Sequence, residues 1–151
     1  GGFVIGSEFS GGMKNILVRN NTFQGTDAGL RFKSAVKRGG KTENIFIDHI
    51  YMTDITGDAI TFEPTYFDNH VGAKKSNAPV KQEYLPNFQD IHISNVYVRG
   101  CKNGIVAHGA EGMVHDITVK DTYIFYNQKA QDIDETCKIK LENVNFSTFA
   151  K

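Results

Sequence analysis

Apolar and polar residues alternate in short runs along the chain, and one nine-residue pattern recurs five times. The copies begin at Asn15, Asn44, Asp90, Asp116 and Lys138. The second position is isoleucine in every copy, and the fourth and ninth positions are always apolar. Alternation over four or five positions is the spacing of a β-strand with one buried face. Its recurrence predicts a solenoid built from stacked coils.

The sixth position of each copy predicts a corner in the coil. It is occupied by Asn20, His49, Asn95, Asp121 and Asn143, mostly residues that tolerate a left-handed backbone. A second short apolar pair follows, and a third strand is predicted at residues 2–5, 29–33, 58–62 and 104–107. Three short strands per turn predict an all-β fold, a single-stranded parallel β-helix solenoid of about five coils. The known preference of parallel crossovers makes it right-handed.

One long step interrupts the repeat. The isoleucines at the second position are 29, 46, 26 and 22 residues apart. The 46-residue step contains all three prolines, Pro64, Pro79 and Pro86. We therefore predict a loop insertion at about residues 64–87 within a single partial β-helix domain spanning residues 1–151. A loop of this length more often serves a function than not.

Composition narrows the classes of function. The chain has 151 residues, with 17 basic and 17 acidic side chains and a net charge of zero. This balance gives no basic stripe for nucleic acid, and no apolar stretch is long enough to cross a membrane. Cys101 and Cys137 lie at different repeat positions, which predicts free, partly buried thiols. No His and Cys spacing typical of a zinc site is present, and neither a metal nor a cofactor is expected.

The strand at residues 29–33 carries the first candidate chemistry. Its alternation points Leu30 and Phe32 inward, and Arg31 and Lys33 outward on one face. Two neighbouring cations on a rigid strand suit a carboxylate, because arginine can bind it through two parallel hydrogen bonds and lysine adds a point charge. On spacing alone, a solvated strand face is the commoner outcome.

The residues predicted on the neighbouring coils favour a binding site over a solvated strand face. Stacked strands bring outward residues of successive coils side by side. Thr61 and Glu63 are predicted above the two cations, Tyr66 at the root of the long loop, and residues 2–7 below. A groove lined by cations, a carboxylate and an aromatic ring suits an acidic polysaccharide, and glycines let a ligand approach its floor.

Three segments carry a resemblance to a known family. Residues 2–7, Gly-Phe-Val-Ile-Gly-Ser, are similar to the end of a motif that starts Gly-His-Gly. Residues 29–33, Gly-Leu-Arg-Phe-Lys, match a later Gly-apolar-Arg-apolar-Lys motif at every position. Residues 63–66, Glu-Pro-Thr-Tyr, resemble a segment whose tyrosine contacts substrate. Together they resemble the polygalacturonases of glycoside hydrolase family 28, which are right-handed parallel β-helices.

The resemblance implies an activity and a set of substrate contacts. The family hydrolyses α-1,4-linked galacturonic acid in pectin with inversion, using an acid and a base on opposite sides of the bond. Arg31 and Lys33 would bind a uronate carboxylate, and Tyr66 and Glu63 would also contact the substrate. The family's catalytic aspartates precede the motif matched by residues 2–7, which implies no catalytic residue in this chain. The expectation is an inactive C-terminal fragment of a secreted or periplasmic enzyme.

The residues alone leave other functions open. A non-catalytic polysaccharide-binding β-helix, a purely structural solenoid and a calcium-dependent lyase-like β-helix all fit the repeat. His108 and Gly109 resemble part of the Gly-His-Gly motif, but they follow the Arg31 strand, so an ordinary turn is predicted. An open first coil would leave strand edges unpaired, which predicts self-association through the N-terminal coil or displacement of residues 1–12.

Overall fold

The structure, a computed structural model, describes residues 1–6, 11–34, 40–64 and 86–148. All regular structure in these ranges is β-strand. The strands are β1 (Phe3–Ile5), β2 (Met13–Gln24), β3 (Leu30–Lys33), β4 (Lys41–Thr53), β5 (Asp58–Glu63), β6 (Asn87–Phe88), β7 (Ile91–Ala107), β8 (Ile117–Ile133) and β9 (Ile139–Thr148). The predicted loop at about residues 64–87 lies outside the described residues except at its two ends.

The five copies of the repeat lie directly above one another in a parallel sheet. Strands β2, β4, β7, β8 and β9 pair in that order, each parallel to the next. The second-position isoleucines form one continuous column, Ile16, Ile45, Ile91, Ile117 and Ile139. This register confirms the predicted stack of about five coils.

A second stack contains the predicted third strands. Strands β1, β3 and β5 pair in parallel, and β5 pairs onward with the C-terminal part of β7. In β7 and β8 the third strand is continuous with the strands before it. The corners there interrupt the ladder only at small register shifts between Arg99 and Asn103. The separate strand predicted at residues 104–107 is therefore the end of a longer, bent strand.

Each corner is set by a residue with positive φ, as the sequence predicts. The five sixth-position residues, Asn20, His49, Asn95, Asp121 and Asn143, have φ between 49° and 58°. The first position of four copies does the same, with φ between 52° and 61° at Asn15, Asn44, Asp90 and Asp116. This additional corner was not predicted. Asparagine and aspartate adopt this conformation at lower energy than most residues, which explains their recurrence at both positions.

The core is a set of stacked columns inside the coils. Isoleucine and valine from successive strands are fully buried, and three phenylalanines complete the interior below the second stack of strands. Phe32 and Phe62 stack with ring centroids 4.7 Å apart and planes 7° from parallel. Phe88 meets both rings edge-on, at 6.1 Å and 6.3 Å. The outward residues of β3 and β5 therefore extend from strands whose inward side chains belong to this packed aromatic layer.

The two thiols belong to this interior. Cys101 and Cys137 are free, which confirms the prediction, and both are buried. Burial raises the pKa of Cys101 to about 12 and that of Cys137 to about 11. Both side chains are therefore neutral at ordinary pH and act as small apolar groups.

Candidate functional site

Strand β3 presents two cations on its outer face. Leu30 and Phe32 are fully buried, while Arg31 and Lys33 are half-buried. This alternation is the predicted one. Because Phe32 stacks on the neighbouring coil, the backbone that carries both cations is held firmly.

The register places the predicted neighbours beside them. Arg31 pairs with Val4 of β1 on one side and with Thr61 of β5 on the other, and Lys33 pairs with Glu63. Both residues predicted on the coil above are therefore at the predicted register positions. Thr61, however, is fully buried rather than exposed on this face, and Glu63 is partly exposed.

A glycine closes the lower side of this face. Gly6 has a φ of +118°, and a Cβ at that position would lie 1.7 Å from the carbonyl oxygen of Lys33. Only a residue without a side chain fits here, because both the backbone angle and the contact exclude a Cβ. The glycine within the segment at residues 2–7 thus has a direct structural reason: close approach to the strand that carries the cations.

Arg31 lies between two carboxylates. Its Nε is 3.4 Å from Glu63 Oε2, and its Nη2 donates to Glu63 Oε1 at 3.5 Å. Its Nη1 lies 3.4 Å from Asp27 Oδ2. Thr61 Oγ1 also donates to Glu63 Oε1, at 3.4 Å. Asp27 was missed by the sequence reasoning, although its position four residues before Arg31 and just before the strand was a usable signal.

The two carboxylates that pair with Arg31 differ in solvent exposure. The Glu63 side chain is 21% exposed, like that of Arg31, whereas the Asp27 side chain is 65% exposed. All these contacts are longer than the 2.7–2.9 Å typical of charge-assisted hydrogen bonds. Glu63 is the less exposed of the two carboxylates beside Arg31, and Asp27 is the more exposed. A direct contact between Glu63 and a ligand stays a prediction.

Two parts of the predicted site cannot be placed. Tyr66 lies outside the described residues, and so does Ser7 at the end of the resembling segment. Pro64, the first residue of the predicted loop, is described and buried, and a Cβ on Gly109 would lie 2.7 Å from its ring. The start of the predicted loop thus packs against the segment that follows β7.

The same outer face continues onto the coils above. Val106 pairs with Thr61 and with Asp132, and the amide of His108 donates to the carbonyl of Phe62. His108 was assigned to an ordinary turn, and it does lie just past the end of β7. Its side chain lies 3.1 Å from Asp134 Oδ1 and 3.5 Å from Asp132 Oδ2.

These contacts tie the chain after β7 to the end of β8. The hydrogen bond from His108 is the main reason that the pKa of Asp134 is lowered. The amide of Gly109 also donates to Asp134, at 3.1 Å. The sequence alone does not indicate this pairing, because residues 128–136 are too polar and too short for an assignment. Among the described residues, no three His, Cys, Asp or Glu side chains are arranged to hold a metal ion.

In the described ranges, no helix has the length and apolar character needed to span a membrane.

The site presents two cations on one strand, and the largely buried carboxylate of Glu63 orients the guanidinium of Arg31. Such a pair recognises an anionic group of fixed geometry, and a carboxylate fits arginine in particular.

Comparison with known proteins points the same way. The chain is 32% identical over 149 residues to a polygalacturonase of Ralstonia solanacearum, covering 96% of the chain and 23% of that protein. It is 26% identical over 147 residues to the exo-poly-alpha-D-galacturonosidase of Dickeya chrysanthemi, covering 97% of the chain and 24% of that protein. The chain thus spans about a quarter of the length of the curated relatives it matches.

A solved structure is similar over nearly the whole chain. The crystal structure of a hyperthermoactive exopolygalacturonase from Thermotoga maritima superposes with a TM-score of 0.80 at 30% identity. The match covers 95% of this chain and 30% of that one. This similarity confirms the right-handed parallel β-helix. The sequence profile of the glycosyl hydrolases family 28 matches residues 1–148, and the chain therefore belongs to glycosyl hydrolase family 28.

Proposed function

We propose that this chain forms the uronate-binding part of the substrate groove of a pectin-degrading polygalacturonase. In the complete enzyme the reaction is hydrolysis of α-1,4-galacturonosyl bonds with inversion. The observation that carries the proposal is the outward pair Arg31 and Lys33, set on a buried aromatic layer and flanked by Glu63. The family and the named relatives support the substrate class.

Arg31 and Lys33 have different roles in the proposed binding. Arg31 receives the uronate carboxylate through its guanidinium N–H groups, and Lys33 adds a second positive charge on the same face. Glu63 holds the guanidinium from the side, while the exposed carboxylate of Asp27 gives way to the ligand. Exchange of one carboxylate for another changes the local charge little, which keeps the desolvation penalty of binding small.

Tyr66 completes this part of the groove in the proposal. Its place in the sequence, three residues beyond Glu63, and the resemblance of residues 63–66 to a substrate-contacting segment support that role. A tyrosine combines an apolar ring for the sugar face with a hydroxyl for hydrogen bonding.

The catalytic acid and base lie outside these residues in the proposal. The chain by itself therefore binds galacturonan without cleaving it. Secretion or a periplasmic location follows for the complete protein, because an extracellular polymer is the substrate.

Self-association is proposed at the sheet edges. The proposal places it at the N-terminal coil, where among the described strands β1 pairs with β3 and β2 with β4. Sedimentation velocity over a range of concentrations tests this: a concentration-independent monomer contradicts it.

Binding of trigalacturonate to the full chain, measured by calorimetry, tests the proposed substrate. Arg31→Ala should weaken binding by at least about tenfold, since truncating one member of a charge pair at an interface has effects of that order or more. Arg19→Ala is the matched control, because it removes the same charge from an exposed position on β2. Equal affinity of the Arg31→Ala and Arg19→Ala proteins would remove the basis of the proposal.

A further inference from the structure

We propose that another face of the solenoid binds a neutral glycan, separately from the uronate site. The site is the tyrosine column, Tyr51, Tyr97 and Tyr123, together with the corner residues beside it. The three tyrosines occupy one register position on β4, β7 and β8. They lie on the strands of the first stack, away from the column that contains Arg31.

The tyrosine column is partly exposed to solvent, and its rings stack on one another. Tyr51 and Tyr97 stack with centroids 5.6 Å apart and planes 3° from parallel, and Tyr97 and Tyr123 stack at 6.1 Å and 29°. Their exposed fractions are 38%, 41% and 37%. Phe125 lies 4.8 Å from Tyr123 and tilts against it. The result is a run of aromatic surface facing solvent, fixed by the coil spacing.

Polar side chains border this surface on one side. Two of the three tyrosines and the neighbouring corner residues line an open cavity of about 390 Å³, whose lining includes Asn95, Tyr97, Asp121, Tyr123, Asn143 and Asn145. The corner groups are fixed in place: Asn143 Nδ2 donates to Asp121 Oδ1 at 2.8 Å, and Asn95 Nδ2 donates to Asp48 Oδ1 at 2.8 Å. Amide side chains and the carboxylate side chain of Asp121 thus line the same cavity as Tyr97 and Tyr123.

This combination suits a pyranose. The apolar C–H face of a sugar lies against an aromatic ring, while its hydroxyl groups donate to carboxylate and amide oxygens and accept from amide N–H groups. Stacking accounts for the tyrosine column, and the corner backbone accounts for the asparagines and the aspartate. The proposal rests on the two groups lying side by side along one solvent-open cavity.

Charge selects the class of sugar. Among the described residues that line the cavity, one is anionic, Asp121, and none is cationic. A uronate would bring its carboxylate towards Asp121 with no cation in the cavity lining to offset the repulsion, which is unfavourable. A neutral glycan meets no such repulsion. The occupant is therefore an uncharged polysaccharide chain, in contrast to the anionic ligand proposed for Arg31.

Titration of the full chain with a neutral galactan tetrasaccharide, followed by NMR, tests this site. We expect selective shifts of Tyr97 and Asp121 signals, and a loss of affinity of about tenfold or more in Tyr97→Ala, since one aromatic contact has an effect of that order. Phe46→Ala is the matched control: Phe46 is also exposed and stacks on His92, but it does not line the cavity. Trigalacturonate binding should be equal in the Tyr97→Ala and unaltered proteins.

Two results would overturn the proposal. One is equal galactan binding in the Tyr97→Ala and Phe46→Ala proteins, with unfolding curves that show both to be folded. The other is no galactan binding at all, with self-association that Tyr97→Ala abolishes, because the tyrosine column would then be a contact between copies of this chain. Tyr97→Phe separates folding from recognition further, since it keeps the ring stack and should retain most of the affinity.

Discussion

The outward face of strand β3 and the tyrosine column are built on the same solenoid in opposite ways. On β3 and its neighbours, the outward position changes from coil to coil, from Val4 to Arg31 to Thr61. In the tyrosine column the same residue type occupies three successive coils. A varied column gives one local site with a defined charge, whereas a uniform column gives an extended surface. The scaffold permits both because outward side chains do not affect the buried columns.

The largest expected difference between the two regions is in stability. Phe32→Ala should lower the free energy of unfolding by about 3–5 kcal/mol, because it opens a cavity in the buried aromatic layer under Arg31. Tyr97→Ala removes a half-exposed ring and should lower it by only about 0.5–1.5 kcal/mol. Urea denaturation followed by circular dichroism measures both values. Equal losses would show that the exposed stack supports the coil as much as the core does.

A smaller effect should separate the two carboxylates around Arg31. Glu63→Gln should weaken trigalacturonate binding by about threefold to tenfold, because the guanidinium loses its positioning partner. Asp27→Asn should leave binding equal or tighten it by at most about threefold, because an exposed competitor for Arg31 is removed. The isosteric pair can be compared in one calorimetric series. Tighter binding in Glu63→Gln would mean that Glu63 competes with the ligand.

The smallest effect concerns acid stability at the corner beside the tyrosine column. Hydrogen bonds from Asn95 and then from His49 lower the pKa of Asp48 to about 2, below its ordinary value of 3.8. A depressed carboxyl pKa stabilises the fold above the unfolded value, and that contribution is lost as the pH falls from about 3.8 towards 2. Because this side chain borders solvent, we expect less than about 1 kcal/mol.

Thermal unfolding of the unaltered and Asp48→Asn proteins between pH 6 and pH 2 checks this value. The difference in stability between them should shrink as the pH falls. A constant difference would place the contribution of Asp48 in its hydrogen bonds alone, independent of its charge.

Much of the fold was predictable because the repeat is explicit. Isoleucine at one position in every copy fixed the register, and the residue after the first strand of each copy identified the corner. The polar segment at residues 128–133 was not assigned to a strand, yet it pairs with residues 103–107 of β7. Strand pairing there outweighs local preference, because partner strands supply hydrogen bonds whatever the side chains are.

The candidate site was less completely predictable. Arg31, Lys33 and Glu63 could be placed together because they share the register, whereas Asp27 and the carboxylate contacts of His108 depend on the paths of connecting segments. The tyrosine column was visible in principle, since its members share the eighth position of the repeat. A residue type that recurs at one repeat position is typical of packing between coils, so the sequence alone does not indicate binding there.

The 46-residue step between Ile45 and Ile91 has a consequence for engineering. The two isoleucines still pair directly, and Asn87 at the far end of the step pairs with Lys41. The ladder therefore keeps its register across a step of 46 residues. We expect a foreign peptide or a small domain inserted within this step to leave the register of the strands on either side unchanged.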